Sequence, residues 1–500
     1  MQFLISFLIS FFLIIASSGY VFSQDEPYID GFSEVCMAAS TGDGSNSWGG
    51  HQCSVVRTSV GKTFTIYTIE GSSGLDRKFR LVMKTPESWE IVAEGDSGRE
   101  PAQVLLGRDD RIFVVCWPNG APKLWMNEPG GLIFTPTDIP GDWDPGNNWP
   151  YFSTGIDQQG KLYLLTSGGG KPGYFKIAYR DPATGNWSAV KKIDLDYRYC
   201  YTYTIPDTEK GVFLGSLRDV RWSDLGYTQP AGAFDYVFNA VKTWFVRDFS
   251  THFTETLICE EIPTSAFPKP NVSLNYNGDV YLDSYGRIHV LTPVSGASTG
   301  GTTRLIHHIL DGSEVITSVL LPAEIRNGRM IQNEAGKFFI ISFDSKNIYV
   351  YPASDANGLD LERAVTLDLE GHVVRYSNLH VAAPRCGVPL SNEADIVFPS
   401  GDSAEKWIYF KLHLPIVGPE DTTLLQKPVF EVYPNPARQT FHVKGLNEDT
   451  QLTIFDLAGR KIHHELITIS EIHIGQLPPG MYILHFEQKN GSIYRKLVKI

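Results

Sequence analysis

The sequence predicts an all-β protein, in which a seven-bladed β-propeller is followed by a small C-terminal β-sandwich. Three observations lead to this prediction. The chain is rich in aromatic residues (12%) and has 46 glycines, a short strand signature recurs along it, and its C-terminal end changes to a different pattern of strands and turns. Aromatic residues favour strands and glycines favour turns, so many short strands joined by tight turns are expected.

The recurring signature is a turn containing Gly or Asp, followed by an apolar run rich in strand-forming residues. Its seven turn residues are Gly61, Asp110, Gly160, Gly211, Gly286, Gly336 and Asp395. Most steps between them are about 50 residues, a repeat length typical of propeller blades. The longer step from Gly211 to Gly286 predicts an insertion over residues 222–250. A β-sandwich with chance similarity between strands is the alternative, but it does not explain the near-constant spacing.

The first 23 residues predict a cleavable signal peptide for export. Residues 3–15 are apolar, small and polar residues follow them, and Val21-Phe22-Ser23 offers a cleavage site before Gln24. The apolar run is short for a membrane span. Because no Lys or Arg precedes it, a retained anchor is the alternative. We assign residues 24–415 to the propeller.

A linker is expected at residues 416–427, and residues 428–500 form the predicted C-terminal sandwich. The motifs of this segment are Tyr433-Pro434-Asn435-Pro436, Asp456 with Gly459-Arg460, Gly480-Met481-Tyr482 and the final Lys499. They resemble the C-terminal sorting domain of the Bacteroidetes type IX secretion system. The resemblance implies a secreted or cell-surface protein that passes through the periplasm, with the type IX secretion machinery as its partner.

Charge and cysteine content restrict the possible ligands. The net charge is −13 and the pI about 5.5, which argues against general nucleic-acid binding because phosphates require a broad basic surface. None of the six cysteines forms a CxxC pair, so a thiolate zinc site is not expected. We expect no cofactor, although a structural divalent ion in the central channel is left open. Export permits disulfides, but the sequence does not choose between disulfide pairings and buried free thiols.

A ring of candidate site residues follows from the propeller geometry. Equivalent positions in successive blades face the same side of the central axis. Counting back ten residues from each turn gives His51, Glu100, Pro150, Tyr201, Tyr276, Arg326 and Arg385, with Arg99, Trp149, Tyr199, Tyr203 and Arg329 close by. His51 lies in the Gly-rich segment Trp48-Gly49-Gly50-His51-Gln52.

These residue types suit an acidic sugar. Arg can hold a uronate carboxylate through two hydrogen bonds, Trp and Tyr can stack on sugar rings, and His can move protons near neutral pH. We predict His51 as the catalytic residue. The predicted substrate-binding residues are Trp48, Gln52, Arg99, Trp149, Tyr201, Tyr276, Arg326, Arg329 and Arg385. For each Arg or Tyr taken singly, a structural hydrogen bond between blades is the alternative role.

The blades and the Trp48–Gln52 segment resemble a seven-bladed propeller family of exo-acting α-L-rhamnosidases. Members of this family remove rhamnose linked α-1,4 to glucuronic acid, as in arabinogalactan side chains. The resemblance implies that His51 acts as the acid/base where most glycosidases use a pair of carboxylates. It also implies an acidic plant or algal polysaccharide as the substrate, and we expect a monomer.

Two other functions remain open. Ulvan-type uronate lyases share the propeller and use two His residues in an early blade, followed by Tyr and Arg. Residues 149–170, where that pair is expected, contain no His, although Tyr201, Tyr203 and Arg218 could supply the rest. A non-catalytic glycan-binding propeller is the third possibility. His289 lies within a strand and is expected to be a core or rim histidine. His307 and His308 are adjacent in a strand and point to opposite faces, so they are not expected to share one metal ion.

Overall fold

The computed structural model has seven four-stranded antiparallel sheets between Tyr28 and His413. The structure describes residues 26–41, 46, 49–71, 76–144, 150–261, 278–295, 302–376, 378–415, 431–433, 436–444, 450–456, 461–467, 471–488 and 491–500. The predicted signal peptide and the linker at 416–427 lie outside the described residues. The chain divides into two compact units, Met1–Ile416 and Val417–Ile500.

The strands of the first unit follow one another in chain order. They are β1 (Tyr28–Cys36), β2 (Val55–Arg57), β3 (Thr63–Ile69), β4 (Lys78–Lys84), β5 (Trp89–Asp96), β6 (Gln103–Leu106), β7 (Ile112–Cys116), β8 (Lys123–Asn127), β9 (Phe134–Asp138), β10 (Phe152–Ile156), β11 (Leu162–Gly169), β12 (Gly173–Arg180), β13 (Lys191–Leu195), β14 (Tyr199–Asp207), β15 (Gly211–Arg221), β16 (Tyr236–Val246), β17 (Thr254–Glu260), β18 (Asp279–Leu282), β19 (Ile288–Val294), β20 (Arg304–Asp311), β21 (Glu314–Leu320), β22 (Arg329–Gln332), β23 (Phe338–Phe343), β24 (Asn347–Pro352), β25 (Val365–Asp368), β26 (His380–Val381), β27 (Glu393–Ser400) and β28 (Lys406–His413). Short 3-10 turns cover Pro118–Gly120, Trp222–Leu225 and Pro384–Cys386.

The sheets are the blades of a propeller. Blades one to six are β2–β5, β6–β9, β10–β13, β14–β17, β18–β21 and β22–β25. The first strands of blades one to six contact one another in order, and β2 of blade one contacts β27 of blade seven, so the inner strands surround the central axis. Blade seven consists of β26, β27 and β28, and β1 from the N-terminal end is its outermost strand. This pairing of the two ends of the propeller closes the ring, and the predicted seven-bladed propeller is confirmed.

The turn signature marks the hairpin between the innermost and second strands of a blade. Gly61 and Gly160 occupy such turns with φ of 82° and 88°, and Asp110 with 61°. This left-handed region is open to Gly and tolerated by Asp, which explains the two residue types in the signature. Blade seven differs, because Asp395 lies within β27 and a long connection separates this strand from β26.

The insertion predicted over residues 222–250 is wrong in part. Residues Tyr236–Val246 form β16, the third strand of blade four, and pair with β15 over most of its length. The extra length lies partly in the connection 222–235 and partly in two strands of 11 residues each. Spacing alone could not separate long strands from inserted residues.

Apolar layers between neighbouring sheets form the core. Most of the first and second strands are buried along most of their length, since both faces of an inner strand pack against adjacent blades. Trp117, Trp244 and Trp407 are at most 2% exposed and fill the layers between blades. Hydrogen bonds join the innermost strands of neighbouring blades. Thr154 Oγ1 donates to Gln103 Oε1 at 2.8 Å, and Asp279 Oδ2 accepts from the Met330 amide at 2.7 Å.

The second unit contains two sheets, as predicted for a sandwich. Its strands are β29 (Glu431–Tyr433), β30 (Thr440–Lys444), β31 (Thr450–Asp456), β32 (Lys461–Ile467), β33 (Glu471–His473), β34 (Gly480–Gln488) and β35 (Gly491–Lys499). One sheet has the order β29-β30-β33 and the other β32-β31-β34-β35. The buried side chains of Phe441, Ile454 and Phe486 form part of the core.

Candidate functional site

His51 lies at one end of the central channel, on the face where the innermost strands begin, which we call the upper face. It stands in a turn just before β2, in which the Gln52 amide donates to the Gly49 carbonyl at 3.4 Å. Its side chain is only 3% exposed. Its Nδ1 has no hydrogen-bond partner among the described residues. A buried polar atom without a partner is costly, so this nitrogen is a candidate contact for a ligand.

The two glycines before His51 leave room for its neighbours. A Cβ on Gly49 would lie 2.7 Å from His51 Nδ1, and a Cβ on Gly50 would overlap the Arg329 guanidinium. The close approach of backbone to these side chains therefore requires glycine at both positions. This requirement gives a structural reason for the Gly-Gly-His motif noted in the sequence.

The Arg329 guanidinium binds backbone carbonyls. Its Nε donates to the Leu379 carbonyl at 2.5 Å, and its Nη1 donates to the Gly278 carbonyl. These contacts join blades five, six and seven beneath the Gly50 backbone. Arg329 is 6% exposed, so its charge reaches the site through the field it creates.

Arg385 is not at the ring position that counting from Asp395 predicted. It lies in the 3-10 turn Pro384–Cys386, after β26, and this turn enters the central channel and contacts the inner strands of several blades. The prediction was wrong because blade seven has a long connection where the other blades have a tight hairpin. The turn partly fills the channel below His51.

From this turn, the Arg385 guanidinium supports the His51 segment. It donates to the carbonyls of His51 at 2.8 Å and of Gly50 and Gln52 at 3.2 Å each. Its guanidinium carbon also lies 5.0 Å from the centre of the Tyr203 ring. Arg385 therefore holds the backbone that carries His51.

His51 is neutral in this environment. Burial lowers its pKa from 6.5 to about 3, and the positive charges of Arg385 and Arg329 add to the effect. His380 is itself buried, and its pKa is also lowered to about 3, first by burial and then by Arg329. Neutral imidazole can accept a proton, and a negative charge placed near it would restore its basicity.

Two tyrosines with unusual backbone conformations lie beside His51. The Tyr201 ring centre is 5.7 Å from that of His51, and the Tyr151 ring centre is 5.7 Å from that of Tyr201. Their φ angles are 55° and 44°, in the left-handed region. Tyr201 lies where the register between β14 and β15 shifts. Strained residues concentrate at functional sites, and here the irregular backbone brings both rings to the upper face.

Acidic groups of blades two and four complete this part of the upper face. Burial raises the pKa of Glu100 to about 7, against the opposing charges of Arg99 and Arg77. Burial likewise raises the pKa of Asp219, whose Oδ2 accepts from Arg198 Nη2 at 2.8 Å. Perturbed carboxyl groups of this kind mark candidate sites for acid/base chemistry.

The structure brings some of the predicted site residues together. His51, Tyr201, Arg329 and Arg385 form one cluster, and Gln52 is buried beside His51, with no partner for its Oε1 within the described part of the chain. Arg99 is half-buried beside Glu100, and Arg326 is exposed three residues before β22. Three predicted residues lie outside the described residues: Trp48, Trp149 and Tyr276.

Sequence reasoning missed Tyr151, Asp219 and His380. Tyr151 directly follows the ring position Pro150, so a slip of one residue would have found it. His380 begins β26 and was hidden by the long connection of blade seven. Asp219 lies near the end of β15, a second strand that the count from the innermost strands did not cover.

The histidines of blade five are buried, and His289 lies in the core as expected. His289 and His307 are fully buried and share a hydrogen bond of 2.8 Å, and His289 Nε2 lies 3.1 Å from Asp283 Oδ2. The adjacent His308 points to the other face of its strand and contacts Ser318 Oγ at 2.8 Å. In the part of the chain that the structure describes, no group of three or more His, Cys, Asp or Glu side chains is placed to hold a metal ion.

Several solved structures resemble the chain at low sequence identity. PorZ, a surface component of the type-IX secretion system of Porphyromonas gingivalis, is 14% identical with a TM-score of 0.39, and the match covers 92% of this chain and 60% of that one. This chain thus spans under two thirds of that structure. A PL25 ulvan lyase is 10% identical with a TM-score of 0.48, covering 79% of this chain and 99% of that one. The NanB sialidase of Streptococcus pneumoniae is 11% identical with a TM-score of 0.36, covering 75% and 70%. Likeness at this level does not extend to function.

The C-terminal unit is the segment with a recognisable family. Residues 431–500 match the family of secretion system C-terminal sorting domains. No curated protein matches the chain in sequence. Within the described residues, the structure has no helix of the length and apolar character needed to cross a membrane. The sorting domain makes the chain a secreted or cell-surface protein that reaches its destination through the periplasm.

Proposed function

We propose that the chain is an extracellular enzyme that acts on an acidic polysaccharide, with His51 as its catalytic residue. The observation that carries this proposal is the state of His51, a buried neutral imidazole whose Nδ1 has no partner among the described residues. It lies at the end of the propeller channel, between strained tyrosines and two buried arginines. Export through the periplasm fits a substrate outside the cell.

The charge around His51 favours an anionic ligand. Arg329 and Arg385 are both buried close enough to lower the His51 pKa, so a uronate carboxylate entering the site would gain from their field. The same carboxylate would offset their effect and raise the His51 pKa from about 3. Substrate binding would therefore make His51 a better base at neutral pH. We expect the exposed Arg326, three residues before β22, to meet the substrate first.

The reaction that we propose is hydrolysis of a terminal rhamnose linked to glucuronic acid. His51 Nδ1 takes a proton from the attacking water, the water oxygen bonds to the anomeric carbon, and the glycosidic C–O bond breaks. The departing glucuronate oxygen takes the proton back from His51. The products are free rhamnose and a glucuronate with a restored hydroxyl group. Tyr201 and Tyr151 would stack on or hydrogen-bond the sugars.

Product analysis of the purified protein tests this proposal. We expect incubation with a rhamnose-capped arabinogalactan to release free rhamnose without new ultraviolet absorbance. His51→Ala should abolish the release, and His252→Ala, a change at an exposed histidine of a distant loop, should leave it intact. Rhamnose release by the His51→Ala variant at the normal rate would overturn the assignment.

β-Elimination is the second candidate, and the tyrosine next to His51 favours it. A uronate lyase removes the proton at C5 with a Tyr or His base while the carboxylate is neutralised. Tyr201 beside His51, together with the nearby arginines, offers these components. Incubation with ulvan separates the two reactions, because elimination creates a conjugated double bond that absorbs in the short ultraviolet and releases no free rhamnose. Saturable binding with neither product would identify a glycan-binding propeller.

A further inference from the structure

We propose that Cys53 and Cys386 form a disulfide in the exported protein, and that this bond fastens the turn in the central channel to blade one. The two sulfur atoms are 2.7 Å apart, although the residues are 333 positions apart in the chain. Both side chains are buried, with at most 1% exposure. A disulfide bond is about 2.05 Å long, so a shift of roughly 0.7 Å would join them.

In the finished fold, the polar neighbours of the two sulfurs include Arg385 and each other. The Arg385 Nη1 donates to Cys53 Sγ at 3.0 Å, which offsets only part of the burial that raises the pKa of the Cys53 thiol well above its usual value. Burial opposes ionisation, but the Cys53 thiol and Arg385 bring the pKa of Cys386 down to about 7. The other sulfurs have partners of a different kind, such as the Lys123 carbonyl for Cys116 and the Ser167 hydroxyl for Cys200.

The oxidant would be a disulfide of a thiol oxidoreductase in the periplasm, an oxidising compartment. The Cys386 thiolate attacks one sulfur of that disulfide, forms a mixed disulfide and releases the first oxidoreductase thiolate. Cys53 then loses its proton and attacks the Cys386 sulfur, which forms the new S–S bond and releases the second thiolate. Two electrons pass to the oxidoreductase, and its two thiolates take up the two protons. Because both sulfurs are buried in the finished fold, the exchange takes place before blade seven closes.

The bond would have two structural consequences. Cys53 lies before β2 in blade one and Cys386 lies in the turn after β26 in blade seven, so the bond would reinforce the closure between the first and last blades. Arg385 is adjacent to Cys386 and supports the His51 backbone. The disulfide would thus also fix the position of the candidate catalytic residue, without itself taking part in any reaction on substrate.

Peptide mapping of the full exported chain tests the proposal directly. The protein is denatured in excess iodoacetamide without reductant and then digested. We expect one cross-linked product containing Cys53 and Cys386, which reductant splits, and an intact mass lower than that of the reduced chain by two hydrogen atoms. Recovery of both residues as alkylated free thiols, or of either joined to a different cysteine, would overturn the proposal.

A stability measurement checks the same bond by another route. Reductant should lower the melting temperature of the wild-type chain by several degrees, and it should have no such effect on Cys386→Ser. Cys116→Ser is the matched control, a buried cysteine in blade two, and its melting temperature should respond to reductant as the wild type does. An equal response in Cys386→Ser would assign the effect to other cysteines and contradict the proposal.

Discussion

Buried histidines link the stability of the propeller to pH. Burial is the main cause that lowers the pKa of His51 and His380 to about 3 and that of His308 to about 4. In the unfolded chain each histidine regains a value near 6.5. Below that pH the unfolded state therefore binds protons that the folded state does not. Each histidine contributes stability that is lost as pH falls from about 6.5 towards its folded value.

His308 allows this effect to be measured away from the candidate site. Its Nδ1 contacts Ser318 Oγ in blade five, a contact that the Asn amide can replace. We expect His308→Asn to reduce the pH dependence of the unfolding free energy by about 1.4 kcal/mol per pH unit between roughly pH 6 and 4.5. Urea unfolding across that range measures the slope. An unchanged slope would contradict the neutral state of His308, and the control His252→Asn should match the wild type.

Gly50 tests how tightly the His51 segment is packed. A Cβ at this position would overlap the Arg329 guanidinium, which is held by the carbonyls of Leu379 and Gly278. We expect Gly50→Ala to lower the free energy of unfolding by about 1–3 kcal/mol, because Arg329 or the His51 turn must move. For the same reason, the variant should form product more slowly.

The matched control is Gly170→Ala, since a Cβ there meets no atom within 4 Å. Thermal melts and product assays of both variants make the comparison. If Gly50→Ala were as stable and as active as Gly170→Ala, the close packing around Gly50 would contribute nothing to the free energy of unfolding or to activity, which would contradict the prediction.

At the scale of secondary-structure elements, β1 decides whether the ring of blades stays closed. It pairs with β28 from Tyr28↔His413 to Cys36↔Trp407. The pairing hides the hydrogen-bonding edge of β28, which would otherwise be open to association with other strands. Phe32 of β1 packs against Phe410, with ring centres 5.4 Å apart, and the Ser33 hydroxyl accepts from Trp89 Nε1 of blade one at 2.7 Å.

The closure can be weakened by a single substitution. We expect Phe32→Ala to destabilise the propeller by about 1–3 kcal/mol, less than a fully buried phenylalanine would, because the side chain is only partly buried. Phe234→Ala is the control, since that phenylalanine is 58% exposed in the connection before β16. Differential scanning calorimetry compares them. A larger loss of stability in Phe234→Ala than in Phe32→Ala would contradict the role assigned to β1.

The elements also show which parts of the fold the sequence could predict. Tight hairpins repeat the same backbone conformation, so Gly61 and its equivalents were visible as a periodic signal. Blade seven replaces the hairpin with a long connection, and Arg385 was misplaced because a count of residues assumes equal loops. The bulge at Tyr201 left no signal at all, since a strained backbone is imposed by packing from other blades rather than by local sequence.

At the scale of the whole molecule, the two units were predicted by different kinds of information. Motifs such as Gly480-Met481-Tyr482 identified the sorting domain, and periodicity identified the propeller. Neither could predict that Cys53 and Cys386 meet, because their contact depends on closure of the entire ring. For the same reason, the sequence indicated His51 but not the burial and charge that keep it neutral. Contacts between distant residues become visible only in three dimensions.

The division into two units predicts that export and catalysis can be separated. A chain that ends after Pro415 keeps every strand of the propeller, including the Pro415 carbonyl that accepts from Asn333 Nδ2 at 3.1 Å. We expect this truncated protein to melt at the temperature of the full-length propeller and to release the same products. It should accumulate in the periplasm, since the segment matching the sorting domain begins at residue 431.

Fractionation of cells that express the truncated and full chains, followed by immunoblotting, measures their distribution. The full chain with Lys461→Ala, a change at the exposed start of β32, is the control and should leave the periplasm normally. Truncated protein found outside the cell in the same proportion as the full chain would show that export does not depend on the second unit. A truncated protein that fails to fold would instead show that the propeller depends on the sorting domain, because its own strands and their closure by β1 are all retained.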